Sequence, residues 1–306
     1  FTRNQGGVLS VQHGQKLFIK NCYFLLNLGQ SGGAAYVTNC NFVLTSDNKI
    51  RNNKIIENGG GIFLQSIKHF INTNNLYIFN EARRGAGLYI EVLGIFKMEN
   101  SKFTQNVAND GGGLYLSKIN FAKIRKCSLI SNQATGNGGS AYFASIQKLY
   151  IIHTDFEKNC AKFEGGALFI NNLIQAESQK SEISMIEISM IFNKFVNNIA
   201  DNGGSALLTR GSKVIFFYQT QIVIGIQKMS SILYFHSEDV TIQNLVFKNV
   251  LNEVLLIQSV VSYRAEYRNI ILECPKYTYL NEKSQMTTDL QEKYQIFHRC
   301  TQCKPN

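Results

Sequence analysis

The chain has 306 residues, 44% of them hydrophobic, with no Trp and only two Pro. This length is enough for one elongated domain or two ordinary ones. The net charge of +10 is spread along the chain: residues 1–209 hold 20 Lys/Arg against 13 Asp/Glu, and the rest hold 11 against 8. A nucleic-acid surface would be more clustered, so we expect no nucleic-acid partner. A mildly basic solvated surface is the simplest interpretation, and attraction to anionic glycans or membrane surfaces is the alternative.

A sequence repeat of 26 or 27 residues extends along most of the chain. Its first marker is a Gly pair, replaced by Gly-Ala-Gly at Gly85, that begins at Gly6, Gly32, Gly59, Gly85, Gly111, Gly138, Gly165 and Gly203, with spacings of 26, 27, 26, 26, 27, 27 and 38. Its second marker, an apolar residue three before Asn, keeps the same phase at Phe24/Asn27, Ile50/Asn53, Tyr77/Asn80, Phe103/Asn106, Leu129/Asn132, Phe156/Asn159 and Phe195/Asn198. Two markers in phase predict a repeat architecture.

Each repeat holds short β-branched and aromatic runs between Gly and Asn, such as Leu114 to Leu116, which indicate short strands. Three such strands with their turns fill one coil of a parallel β-helix. We therefore predict an all-β parallel β-helix over residues 1–273, with about ten coils and a length of about 48 Å at the strand spacing. The Gly pairs are expected to form tight turns at positive φ. The recurring Asn is expected to take a left-handed turn and to form a side-chain ladder.

The residues after the glycines alternate between two faces of the same strand. Aliphatic residues, such as Leu114 and Leu116, occupy one face. The other face carries an aromatic column, named here by its members: Tyr36, Phe63, Tyr89, Tyr115, Tyr142, Phe169, Leu207 and Tyr234. A bare column of this size would exceed the apolar patch of a typical soluble monomer. Either the aromatics point inward or a chain segment covers them, or a protein partner or another copy does, or they stack on glycans.

Phe1 begins in the middle of a repeat, since Gly6-Gly7-Val8-Leu9 already completes one. We therefore expect a segment of a larger protein. No apolar run reaches roughly 18 residues, so no membrane span is predicted. The coil between Gly165 and Gly203 is about 12 residues longer than the others. We expect an extra strand or hairpin within residues 171–190, either a binding loop or an inert flap.

Acidic residues just before the glycines are the only candidates for catalysis. Glu57 and Asp110 are separated by a coil that carries Arg84, so an ion-pair ladder Glu57–Arg84–Asp110 is the simpler interpretation. Glu164 and Asp201 flank the insertion on consecutive coils and are the weak catalytic candidates, because glycoside hydrolysis needs two carboxyl groups about 5–9.5 Å apart. The five His share no column. No metal site and no cofactor are predicted.

Four cysteines lie within the repeats, at Cys22, Cys40, Cys127 and Cys160. Their places in the coils leave no pair at the separation that a disulfide needs. We predict that all four are reduced, small core residues.

The markers F-x-x-N and G-G-A-[ILV] resemble the repeats of the chlamydial polymorphic membrane proteins. Phe103/Asn106, Phe156/Asn159 and residues 165–168 match closely, whereas Gly113 or Ser140 replaces Ala elsewhere. The resemblance covers residues 1 to about 260. It implies the right-handed parallel β-helix of the pectin-lyase-like group and a surface adhesin without catalytic residues. The Asn/Lys/Ile-rich composition also looks like that of large ciliate surface proteins, in which such repeats precede Cys-rich modules.

The tail from residue 274 to 306 lacks the repeat and contains Cys274, Cys300 and Cys303. A lone C-x-x-C without a second pair is weak support for zinc, and we predict a short irregular segment. It resembles the start of an extracellular Cys-rich module of the growth-factor-receptor type. That resemblance implies a Cys274–Cys300 disulfide, a partner for Cys303 beyond residue 306, and an oxidising compartment.

The sequence therefore favours a non-catalytic structural or adhesive β-helix of an extracellular or cell-surface protein, which packs against a protein partner or another copy. The alternative is a β-helix that binds or degrades polysaccharides.

Overall fold

The computed structural model describes residues 7–172, 187–223, 231–248, 252–273, 278–280, 286–289 and 293–302. Its strands, numbered in chain order, belong to three sheets. Sheet A contains β1 (Leu9–Lys20), β4 (Ala35–Ser46), β7 (Ile62–Thr73), β9 (Leu88–Glu99), β12 (Leu114–Arg125), β15 (Ala141–Ile152), β18 (Leu168–Asn171), β19 (Glu187–Ile191), β22 (Leu207–Tyr218), β24 (Leu233–Gln243), β26 (Asn252–Arg268), β28 (Thr278–Leu280), β29 (Met286–Asp289) and β30 (Lys293–Gln302).

Sheets B and C consist of much shorter strands. Sheet B contains β2 (Tyr23–Leu25), β5 (Lys49–Arg51), β8 (Leu76–Ile78), β10 (Lys102–Thr104), β13 (Ser128–Ile130), β16 (Asp155–Glu157), β20 (Lys194–Val196), β23 (Gln221–Val223), β25 (Val246–Lys248) and β27 (Ile271–Glu273). Sheet C has a two-stranded stretch, β3 (Leu28–Gly29) and β6 (Lys54–Ile55), and a four-stranded stretch, β11 (Val107–Ala108), β14 (Gln133–Ala134), β17 (Cys160–Ala161) and β21 (Ile199–Ala200).

Among strands β1 to β27 every pairing is parallel and joins equivalent strands of adjacent coils, as in Tyr89↔Tyr115 and Phe103↔Leu129. The chain is therefore a parallel β-solenoid, as predicted. It completes about eight turns, slightly fewer than the predicted ten, because no corner glycine is found in the described residues after Gly204 and the last rungs keep only their sheet A and sheet B strands. The sheet A strands are also longer than predicted, typically 12 residues.

Each coil turns at backbone positions with positive φ. One is the corner glycine, as predicted, at Gly32, Gly59, Gly85, Gly111, Gly138, Gly165 and Gly204. The prediction that the ladder Asn itself is left-handed was wrong. The residue before it takes that conformation, at Leu26, Asn52, Phe79, Gln105, Ser131, Lys158 and Asn197. A left-handed residue there turns the chain so that the following Asn side chain points inward.

The alternation between 26 and 27 residues arises at one corner. The chain takes 21 residues from Gly32 to Asn53 and again from Gly111 to Asn132, but the step from the ladder Asn to the next corner glycine takes five residues after Asn80 and six after Asn53. The six-residue corners project further from the solenoid, and Ile56 on one of them is 80% exposed.

The aliphatic faces form the interior. Leu114, Leu116 and their equivalents along sheet A are fully buried, and the apolar F-x-x-N residues of sheet B, such as Phe103 and Phe156, pack against them from the opposite side. The aromatic column therefore lies on the outer face of sheet A. This arrangement rules out the inward-pointing option left open by the sequence.

The register corrects one repeat. Leu168 pairs with Leu207 and Phe169 pairs with Leu208, so the glycine equivalent to Gly165 is Gly204 and not Gly203. Leu208, rather than Leu207, then belongs to the aromatic column, and Leu207 is inside. Tyr234 pairs with Leu208 and stays in the column as predicted.

Parallel stacking ends with β27. Beyond it, β30 pairs antiparallel with β26, and β28 and β29 pair with β30. Strands β28, β29 and β30 are thus more regular than the predicted irregular tail. Cys274, Cys303 and most of the insertion (residues 173–186) lie outside the described residues, as does the side chain of Cys300. Among the described residues no helix is long and apolar enough to cross a membrane.

Candidate functional site

The aromatic column is a continuous stack on the outside of sheet A. Successive ring centroids lie 4.8 Å apart from Tyr36 to Phe63, 5.1 Å from Phe63 to Tyr89 and from Tyr89 to Tyr115, and 4.9 Å from Tyr115 to Tyr142, with planes within 14° of parallel. Phe169 continues the stack at 4.9 Å. The spacing of the rings follows from the spacing of parallel strands, since one ring projects from each rung.

These rings largely cover one another. Phe63, Tyr89, Tyr115 and Phe169 are only 2–8% exposed, whereas Tyr36, Tyr142 and Tyr234 are partly exposed. The corner glycines allow this packing. A Cβ on Gly85 would lie 2.9 Å from the Cβ of Tyr115, and one on Gly165 would lie 2.8 Å from that of Phe169. The column thus rests against the glycine corner, and its central rings are largely buried within the chain itself.

Charged groups flank the rings. Tyr89 donates a hydrogen bond to Glu91 at 3.2 Å, and the guanidinium of Arg84 lies 5.5 Å from the centre of the Tyr115 ring. Burial raises the pKa of Tyr115 to about 12, an effect that the nearby positive charge of Arg84 opposes. Burial also raises the pKa of Tyr89, and Glu91 adds to this shift. Both phenols therefore remain neutral donors at neutral pH.

The weak catalytic candidates, Glu164 and Asp201, lie on adjacent coils, two register positions apart. Glu164 binds Arg210 at 2.6 Å, and the same guanidinium lies 5.6 Å from the centre of the Phe169 ring. Glu164 aligns with Gly203 on the next coil, and continuing the register of β17 and β21 places Asp201 beside Lys162. The Glu164 carboxylate is thus paired with a cation, and no sequence pattern pointed to Arg210 as its partner.

The predicted ion-pair ladder Glu57–Arg84–Asp110 was wrong. Glu57 accepts hydrogen bonds from Gln30 at 2.8 Å and Ser31 at 3.4 Å, and Asp110 accepts one from the backbone N–H of Asn137 at 3.1 Å. The backbones at Arg84 and Asp110 do pair. The Arg84 side chain, however, turns towards the Tyr115 ring, where its planar cation stacks favourably.

The predicted Asn ladder is confirmed. Asn106 Oδ1 accepts bonds from the backbone N–H and the amide of Asn80, both at 3.0 Å, while the Asn106 amide donates to Asn132 at 3.0 Å and to the Tyr77 carbonyl at 3.0 Å. The same contacts recur from Asn27 to Asn198. Every polar atom of these buried amides therefore serves the stacking of coils, which removes the ladder from consideration as a ligand site.

A second ladder was missed from the sequence. It runs through Cys22, Asn48, Asn75, Ser101, Cys127, Thr154 and Asn193 at the turn before sheet B. Its Ser, Thr and Cys members donate to the carbonyl two residues earlier, for example Ser101 at 3.0 Å and Cys127 at 3.2 Å. Burial raises the pKa of the Cys127 thiol to about 12, so it remains protonated as a donor. The shared column of Cys22 and Cys127 was the available signal.

The cysteine prediction holds in part. Cys22, Cys40 and Cys127 are free thiols, but only Cys40 and Cys127 are buried. Cys160 is exposed, because it occupies an outward position of β17 where the neighbouring Ala161 faces inward. Outward positions of sheet C do not line the core.

A cleft of about 1040 Å³ lies along sheet C. It forms where five-residue corners adjoin a six-residue corner, and Leu28, Lys54, Ile56, Arg83 and Asn109 are among its lining residues. The Lys54–Glu81 ion pair, 2.8 Å long and well exposed, crosses its wall. Within the described ranges no group of three His, Cys, Asp or Glu side chains is arranged to hold a metal ion.

Comparisons with known proteins add no assignment. No protein-family model matches this chain, and neither a curated protein nor a solved structure matches it.

Proposed function

We propose that this chain is a non-catalytic structural or adhesive β-solenoid of a larger extracellular or cell-surface protein. In this role it is a rigid rod that packs against a protein partner or another copy. The main support is that the polar residues recurring in every coil bond to the same residues of adjacent coils. The Asn ladder from Asn27 to Asn198 is the strongest case. Side chains used in this way stabilise the rod and leave no recurring group for chemistry.

The aromatic column is the partner surface predicted from the sequence, and its accessible members are Tyr36, Tyr142 and Tyr234. Sedimentation and electron microscopy of the purified chain test whether it self-associates. Tyr142→Lys should reduce self-association, because a charge placed on a partly exposed ring disrupts apolar packing. Tyr23→Lys is the matched control, because Tyr23 is 56% exposed on sheet B, away from the column. Equal loss in both variants would remove the column as the surface.

The alternative function is binding or degradation of polysaccharides. The observation in its favour is a row of rings flanked by Glu164, Arg210, Arg84 and Glu91, since aromatic faces and charged hydrogen-bonding groups suit sugars. A screen of polysaccharides for binding and cleavage separates the two functions. Cleavage that is lost in Glu164→Gln and Asp201→Asn would overturn the non-catalytic proposal.

The likeness to chlamydial polymorphic membrane proteins and to ciliate surface proteins rests on the repeat residues alone, and we keep it as part of this proposal. The proposed Cys274–Cys300 disulfide and the extracellular location have separate tests. Surface labelling of intact cells should recover the protein, and its absence from the labelled fraction would contradict the location. Mass spectrometry after thiol alkylation should find the disulfide in the recovered material, and alkylation of both Cys274 and Cys300 would contradict the disulfide.

A further inference from the structure

A second outward face of sheet A differs from the aromatic column. Sheet A bends at a residue with positive φ, such as Asn39 or Val92, and the strand segments after the bend present another side to solvent. There Phe42, Leu44, Ile71, Ile95 and Phe121 point outward while their neighbours, such as Phe96, fill the core. All five are partly exposed, and none belongs to the packed clusters of the interior. We call this surface the lysine face, for the cations described next.

Three lysines complete this face. Lys97 and Lys123 stand side by side on adjacent rungs, between Ile71 and Tyr150 in the same column. Lys148 follows Phe121 in the neighbouring column. Rungs lie about 4.8 Å apart, and like charges placed directly opposite in a sheet destabilise it. The two adjacent lysines therefore destabilise the isolated chain.

Carboxylates of the described residues offset this charge only in part. Glu187 is the register partner of Lys148 and also accepts a hydrogen bond from Tyr150 at 2.8 Å, while Glu99 pairs with Arg125 at 3.6 Å. Lys97, Lys123 and Lys148 have no ion pair with any described residue. The face is thus apolar and positively charged, and the adjacent Lys97 and Lys123 have no carboxylate beside them in their own column.

We propose that the lysine face is the docking surface for an acidic protein partner that presents carboxylates beside apolar side chains. Carboxylates would pair with Lys97, Lys123 and Lys148, and apolar groups would cover Ile71, Ile95 and Phe121. Charge complementarity selects this occupant. A second copy meeting the face head-on would set lysine against lysine, and the half-buried apolar side chains offer little to insert into a bilayer. The inference rests on the proposed function and identifies the partner's chemistry.

The test uses the purified chain and three short synthetic peptides that alternate Glu with Val, Lys with Val, and Glu with Ser. Fluorescence anisotropy at low salt should show binding of the Glu/Val peptide alone. The double variant Lys97→Glu/Lys123→Glu should weaken that binding by about tenfold or more, since two attractions become repulsions. The matched control, Lys49→Glu/Lys102→Glu, makes the same charge change on sheet B and should leave the affinity within about twofold.

Several results would overturn the proposal. Equal weakening in the two double variants would show that only net charge matters. Binding of anionic phosphatidylserine vesicles but not of the peptide, lost in Lys97→Glu/Lys123→Glu, would identify a lipid surface. A concentration-dependent dimer abolished by that variant would identify a second copy. Unfolding midpoints of both variants, compared with the parent, verify that each is folded. If the peptide does not bind and no polysaccharide is cleaved, the docking proposal is wrong but the proposed structural role is unaffected. Polysaccharide cleavage would overturn the structural role whatever the peptide result.

Discussion

Tyr77 Oη donates a 2.7 Å hydrogen bond to Asn72 Oδ1 inside the solenoid, where both side chains are fully buried. One coil later the equivalent positions hold Phe103 and Met98, which are apolar. Thr45 and Asn75 also donate to Asn72 Oδ1, at 2.8 and 2.7 Å. The core therefore contains one local polar network in place of an apolar layer.

This network predicts strong coupling between its members. Asn72→Met leaves the Tyr77 hydroxyl buried without its partner and should cost about 1–3 kcal/mol beyond the effect of shape. Tyr77→Phe alone should cost about 1 kcal/mol, because Asn72 keeps its other donors. The double variant copies the next coil and should be less destabilised than the sum, by ~1 kcal/mol or more. Denaturant unfolding of the four proteins measures the coupling, and additive costs would contradict it.

The Asn ladder predicts that the stability lost on Asn→Ala substitution depends on the position of the Asn along the solenoid. Asn106→Ala removes the acceptor of two Asn80 donors and both donations of its own amide, so it should cost about 3 kcal/mol or more. Asn27→Ala is the matched comparison, because Asn27 is only partly buried and donates to Asn53, while its side chain accepts no ladder bond from the described residues. Thermal unfolding should show a clearly smaller loss of stability for Asn27→Ala than for Asn106→Ala. Equal losses would show that the ladder bonds are not the cause.

The corrected register predicts opposite outcomes at two adjacent glycines. Gly204 has a φ of 62°, and a Cβ there would lie 2.5 Å from the Leu207 carbonyl oxygen and 2.6 Å from the Leu208 Cβ. Gly204→Ala should therefore cost several kcal/mol, about 1–2 from the left-handed backbone alone. Gly203→Ala should stay within about 0.5 kcal/mol, since its Cβ would meet only Ser231 Oγ, at 3.5 Å. Expression level and unfolding midpoint check both, and the reverse order would refute the register.

The left-handed backbone at Val92 predicts that a substitution there stabilises the protein. Its φ is 58°, a conformation that β-branched residues rarely adopt, and its side chain is 43% exposed. Asn occupies the equivalent corner at Asn39. Val92→Asn should therefore raise stability by about 0.5–1 kcal/mol. Val107→Asn, at an exposed and extended position of β11, should lower it. Calorimetry of the two variants measures both changes. Stabilisation of both would show a general benefit of Asn on the surface and not the removal of backbone strain at residue 92.

Burial of phenols and a thiol predicts alkaline sensitivity. The folded pKa values of Tyr115 and Cys127 are raised to about 12, above their ordinary values of about 10 and 8.5. A raised folded pKa contributes stability that is fully present below the unfolded pKa and lost as the pH rises towards the folded value. Stability should therefore fall between about pH 9 and pH 12. Tyr115→Phe should reduce the fall above about pH 10. Urea midpoints across this range provide the measurement, and identical curves would contradict the assignment to Tyr115.

Much of the fold can be predicted from the residues of a single repeat. The spacing of Gly85 and Asn106 predicts the parallel β-solenoid, because a tight corner and an inward amide are needed once in every turn. The same periodicity predicts the Asn ladder and places Tyr115 in an aromatic column on one face of its strand. The second ladder was harder to see, because Cys127, Ser101 and Asn75 perform one task with three different side chains.

The amino-acid sequence by itself determined the coil, its length and the side chains that repeat in it, since these depend on contacts within one turn and between identical neighbours. Only the tertiary structure decided which face is inside, that Gly204 replaces Gly203 at the corner, and that Arg210 neutralises Glu164 from 46 residues away. Alternation along a strand is symmetric between its two faces, and a one-residue shift exchanges them. The direction of burial therefore becomes fixed only when the sheets close around a common core.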